Sequence, residues 1–166
     1  LLVAVLQQHD PGMNERDAHA RASQFRRNVS EFSGIFLERG LDHDGRSIYG
    51  FLHLTFEEYF AALCLVDKWQ REGKHVLKPL LHNPRWNEII LLTAGHLGVF
   101  SSYQATRFIW TILEMKSEYE NILHRDLLMA VRCLADDIRV DAELRRTVLS
   151  QLLKVYFAPK SPPTLQ

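Results

Sequence analysis

From Thr55 onward this 166-residue chain is patterned almost entirely for α-helix, and that leaves few folds open to it. Leu127, Val131, Leu134 and Ile138 recur at i, i+4, i+7 and i+11, and Leu144, Val148, Leu152 and Val155 repeat the rule. Residues spaced this way share one face of a helix. The same spacing predicts a helix over 14–32, with Ala18, Ala22, Phe25, Val29 and Phe32 on its apolar side and Asn14 as its cap. Thr55 and Glu58 read as a capping box opening another helix, whose apolar face is Phe56, Tyr59, Phe60, Leu63 and Val66 and whose end is Gly73. Asn83-Pro84 opens a third, carrying Trp86, Ile89, Ile90, Leu92 and Leu97. A fourth spans about 103–115, and the two regular patterns follow Asn121 and Asp141. Pro159, Pro162 and Pro163 forbid helix beyond them.

Only one segment breaks the pattern. Two short apolar runs, Ile35–Arg39 and Ser47–Leu52, flank Asp42-His43-Asp44-Gly45, which predicts a β-hairpin over about 35–52. The expected fold class is therefore mainly α, with one β-hairpin. A weak internal repeat of offset 36 follows it. Leu91, Leu92 and Ala94 align with Leu127, Leu128 and Ala130, and Phe108, Thr111, Ile112 and Leu113 align with Leu144, Thr147, Val148 and Leu149. Each unit is a helix pair, which predicts an α-solenoid-like, HEAT-like array of antiparallel helices.

Charge narrows the function. There are 20 Lys+Arg against 20 Asp+Glu, for a formal net charge of +0, and neither half is strongly basic. A nucleic-acid partner is disfavoured on that ground. The uncharged stretch from Ile89 to Thr106 contains His96, two glycines and two serines, too polar to span a bilayer. Leu1–Leu6 is apolar with no basic residues before it, which suggests a chain entered mid-helix rather than a signal peptide. Cys64 and Cys133 both fall in apolar helical patterns, so buried free thiols and a cytoplasmic location are expected.

The motifs of catalysis are missing. The Gly73-Lys74 step leads into His75, so there is no phosphate loop, and neither His-Glu-x-x-His nor Gly-x-Ser-x-Gly occurs. His53 and Glu57 would be two metal ligands at most. Glu57 and Glu58 are adjacent on a helix and point about 100° apart, so they do not face one site. No enzyme activity, metal or cofactor is expected of this chain.

Ser33-Gly34-Ile35-Phe36, followed by Tyr49-Gly50-Phe51-Leu52-His53-Leu54-Thr55-Phe56-Glu57-Glu58-Tyr59-Phe60-Ala61-Ala62, resembles the winged-helix region of NACHT-family signal-transduction NTPases. Phe51, His53, Phe56, Glu58 and Phe60 carry the likeness; Glu57 stands where the family often has Gln. The run from Arg85-Trp86 to Gly95, and that from Leu127 to Asp137, are similar to the helical repeats that follow the winged helix in such proteins. The resemblance implies a winged-helix region over 1–72 and a helical repeat domain over 73–166. It implies that His53 reaches a bound ADP phosphate, where an imidazole donates a hydrogen bond to an anionic oxygen. ADP or ATP with Mg would be held by an upstream NTPase domain, and proteins would meet the repeats. A second reading is a nucleic-acid-binding winged helix, with Arg16, Arg21, Arg26 and Arg27 on phosphates and Asp17 and Glu31 interrupting them. A third is a small helical enzyme.

Overall fold

The computed structural model describes residues 2–32 and 34–157, the side chains of 30–32 excepted. The Phe32 side chain, Ser33, Pro159, Pro162 and Pro163, on which some sequence expectations rest, lie outside these described positions. The chain is mainly α-helical with one antiparallel hairpin. It divides into two compact units, Leu1–Glu57 and Glu58–Gln166.

The first unit holds α1 (Leu2–His9), α2 (Glu15–Phe32), β1 (Phe36–Leu41) and β2 (Ser47–Phe51). Asn14 caps α2 as expected: its Oδ1 accepts from the Asp17 amide at 2.8 Å, and its side-chain amide donates to Asp17 Oδ2 at 2.9 Å. This reciprocal pair stabilises the helix start by satisfying an otherwise unbonded N–H. The hairpin turn is built by Asp42, whose Oδ1 accepts from the amides of Asp44 and Arg46. Gly45 takes φ 74 there, a left-handed conformation that glycine adopts without strain. β1 carries a bulge between Glu38 and Gly40, which throws Arg39 out of register. Of the predicted α2 face, Ala18 is fully buried, Ala22 and Val29 are half-buried, and Phe25 is exposed.

The second unit takes in most of α3 (Leu54–Glu72), then α4 (Lys74–Leu77), a 3-10 turn (Pro84–Trp86), α5 (Asn87–Phe100), α6 (Ser102–Leu113), α7 (Glu120–Leu123), α8 (Arg125–Ala135) and α9 (Ala142–Phe157). The division therefore falls inside α3, whereas the sequence reading sets it after residue 72. The reason is packing: Ala62, Leu65 and Trp69 belong to one core with Leu77, Ile90 and Phe108. Gly73 ends α3 at φ 68, its N–H bonded to Trp69 C=O. Asn83 accepts from the Arg85 amide ahead of Pro84, so the predicted cap is in place; Trp86 packs, half-buried, against the core.

Four expectations about α3 and the later helices need correction. The helix begins at Leu54, so Thr55 lies inside the first turn and is no cap; Glu58, half-buried, makes no capping hydrogen bond among the described residues. Its buried stripe is Ala62, Leu65 and Trp69, while Phe56, Tyr59 and Phe60 remain 37%, 43% and 44% exposed. Cys64 is likewise exposed, because it lies off that stripe; Cys133 is buried as expected. The helix predicted after Asn121 is two helices, broken where His124 turns left-handed (φ 49), and Ile138 is buried from the loop beyond α8.

The offset of 36 reappears in the packing. Ala94 and Ala130, Leu97 and Cys133, Phe108 and Leu144, and Ile112 and Val148 are buried pairwise. Contacts run from α5 to α6, α6 to α8 and α8 to α9, as in a stack of helix pairs. At Gly98 the two units of this repeat come close: a Cβ there would collide with Ile138 Cγ2. Gly95 has nothing within 4 Å of such a Cβ. Gly98→Ala is expected to destabilise the chain by about 1–2 kcal/mol through overpacking, and Gly95→Ala to stabilise it by about 0.5–1 kcal/mol through helix propensity. Urea unfolding of the two variants reads the opposite signs directly.

Burial pushes the Cys133 thiol up to about 12, its desolvated thiolate being the costly form. Cys64 is expected to react with Ellman's reagent at pH 8 within minutes, and Cys133 only after denaturant is added. Its pKa being higher folded than unfolded, the contribution of Cys133 to stability is full below pH about 9 and falls as pH rises toward about 12.

Candidate functional site

Where β2 gives way to α3, the backbone leaves polar groups facing outward. β2 ends at Phe51 and α3 begins at Leu54, which puts His53 at the cap position of the helix. Its carbonyl accepts from the Phe56 amide at 3.1 Å. The imidazole is exposed and makes no hydrogen bond among the described residues; its ring lies 6.3 Å from that of Phe56. The amides of Leu54 and Thr55 also find no acceptor among the described residues. Unbonded N–H groups at a helix start favour an anion there.

A cation is held close by in the chain. Arg39, the bulged residue of β1, lays its side chain across Gly50 and donates to the Phe51 carbonyl at 2.8 Å. Gly50 makes this possible, since a Cβ there would come within 2.7 Å of Arg39 Nε. Phe51 itself is half-buried and stacks on Phe36 at 4.3 Å between ring centroids. Of the motif residues, then, Phe51, His53 and Phe56 share the strand–helix junction. Glu58 and Phe60 follow on the helix, and Trp86 lies in the core packing of the second unit.

The four arginines of α2 are all exposed, but they are not equally available. Arg26 sits over the Tyr49 ring at 5.7 Å, a cation–π contact that ties it to the hairpin.

A polar cluster that the sequence reading missed lies in the second unit. Asp126 is 1% exposed and is met on both oxygens: His82 Nε2 lies 2.8 Å from Oδ1, and the Ser117 amide donates to Oδ2 at 2.8 Å. The same His82 Nε2 is 2.8 Å from Ser117 Oγ. Glu120 closes the arrangement by accepting from the amides of Asp126 and Leu127, which caps α8. Ser, His and Asp here do not form a nucleophilic triad. That chemistry needs the carboxylate on one ring nitrogen and the hydroxyl on the other, and here both converge on Nε2. The cluster is a staple joining the segment after α4, the α6–α7 loop and the start of α8. The repeat held the signal: Asp126 occupies the place of Ile90, which is fully buried.

A depression of about 710 Å³ in the second unit is lined by Trp69, Lys74, Gln104, Arg107 and Glu114 among others. Arg107 is stacked between Trp69 and Tyr103, and the Thr111 hydroxyl donates to the Arg107 carbonyl. Among the described residues no group of three or more His, Cys, Asp or Glu side chains could hold a metal ion, and no helix is long and apolar enough to cross a membrane.

Comparison with known proteins finds no match. No family model fits the chain, and no curated protein or solved structure shows significant similarity to it.

Proposed function

We propose that this chain is a non-catalytic regulatory and interaction module of a NACHT-type ATPase, working in the cytoplasm beside an upstream NTPase domain that binds ADP or ATP with Mg. In this reading the first unit is a winged-helix region, and its movement couples nucleotide state to the helical repeats. The observation that carries it is His53: an exposed imidazole with no hydrogen bond among the described residues, beside the unbonded amides of Leu54 and Thr55, within the run Phe51–Phe60. These donors suit a phosphate oxygen of ADP. Bound ADP would hold the winged helix against the NTPase domain, and loss of the contact would release it as a hinge-type transition.

The test uses the full-length protein. His53→Ala is expected to weaken the ADP-held closed state and raise the assembled fraction seen by light scattering about tenfold at equal ADP. An assembly state identical to wild type across the ADP titration would remove the switch from the account.

A further inference from the structure

We propose that the outer face of α5 is a docking groove for an amphipathic helix of basic character on a partner protein. The nucleotide reading plays no part in it, since every residue concerned lies in the second unit.

The helix itself poses the problem. α5 bears no charged side chain from Ile89 through Phe100. Ile90, Thr93, Ala94 and Leu97 are buried on its inner side. Its outer side is also apolar, yet Val99 and Phe100 are 74% and 76% exposed. A helix apolar all round is ordinarily covered all round.

The outer side is shaped as well as apolar. A depression of about 390 Å³ lies along it, lined also by Tyr59 of α3 and Asp136 beyond α8. Two rows spaced by four residues, Leu91–Gly95–Val99 and Leu92–His96–Phe100, border its floor. Such rows are the ridges between which a second helix seats its own. Gly95 notches one of them. No internal neighbour requires a glycine there, because a Cβ would meet nothing within 4 Å. A glycine inside a helix weakens it; the bare backbone at this position lets an outside group approach closely.

Charge decides the occupant. The ionisable residues lining the groove are Tyr59, Glu88, His96 and Asp136; the depression that adjoins it past Gly95 and Val99 adds Asp137 and Arg139, which leaves the rim acidic on balance. An apolar helix flanked by Lys or Arg complements that rim. A second copy of the chain would bring the same acids against them, which opposes a symmetric dimer through this face.

The experiment titrates the full chain into two fluorescein-labelled synthetic helices of about 14 residues. Both carry leucines at i, i+3, i+4 and i+7; one is flanked by Lys, its twin by Glu. The Lys peptide is expected to bind at least about tenfold more tightly than the Glu peptide. Gly95→Leu fills the notch and is expected to weaken Lys-peptide binding about tenfold with the thermal midpoint retained. Gly95→Ala, the milder filling, is expected to weaken it about threefold. Glu88→Lys combined with Asp136→Lys is expected to invert the peptide preference. No binding of the Lys peptide, equal binding of the two peptides, or indifference to both Gly95 substitutions would overturn the proposal. So would self-association of the chain that Gly95→Leu abolishes, which would assign the face to a second copy.

Discussion

Asp126→Ala is expected to cost about 3–5 kcal/mol of stability, the range for breaking a buried, hydrogen-bonded charged group. The carboxylate is almost fully enclosed and accepts from the Ser117 amide while meeting His82 Nε2. Truncation leaves the Ser117 amide without its acceptor and the imidazole with the Ser117 hydroxyl alone. Backbone strain adds to the loss: Lys116, Tyr119 and His124 all hold positive φ in the segment that Asp126 anchors, and each such residue costs on the order of 1 kcal/mol unless its surroundings impose it. Hydrogen exchange over 115–124 is therefore expected to speed up more than exchange in α5 or α6. Asp126→Asn keeps one acceptor oxygen and is expected to lose about 1–2 kcal/mol. A global loss under about 1 kcal/mol for the alanine variant would show that the cluster is solvated and structurally idle.

Phe108→Ala has a comparable expected cost, about 3–5 kcal/mol. Phe108 is fully buried on α6 and meets Trp69 edge to face, with centroids 5.2 Å apart and an interplanar angle of 87°. It contributes buried area, a favourable ring pair and the filling of space in the core of the second unit. Small domains have only about 5–15 kcal/mol in hand, so most of the second unit's stability would go. Urea unfolding followed by tryptophan fluorescence measures it. Phe108→Leu is expected to recover much of the loss.

The features legible in the sequence are those fixed by neighbours in the chain. Asn14 caps α2, Asp42 and Gly45 build the hairpin turn, Gly73 stops α3, and Asn83-Pro84 starts the next helical segment; each acts within four residues. The repeat was legible because Ala94, Phe108 and Ile112 recur as buried residues one offset later. Periodicity does not choose between two apolar sides of α3: it favours Phe56, Tyr59, Phe60 and Cys64 for an interior that Ala62, Leu65 and Trp69 occupy. Nor could it show the break at His124, where no glycine or proline marks the left-handed turn. Asp126 reads locally as an ordinary first-turn acid; its burial depends on His82, 44 residues earlier, and on Ser117. His53 was legible as a position, because the strand and helix signals on either side fix where the chain turns. Its exposure and the free amides beside it come only from the fold.

The dissociation rate of a fluorescent ADP analogue from the full-length protein tests the proposed role of His53 most directly. Removing a hydrogen bond to a charged phosphate is worth about 1.5–3 kcal/mol, so His53→Ala is predicted to release the analogue at least about tenfold faster than wild type. His53→Gln, which retains a donor, is predicted to fall between the two. Equal rates for wild type and His53→Ala would contradict the account.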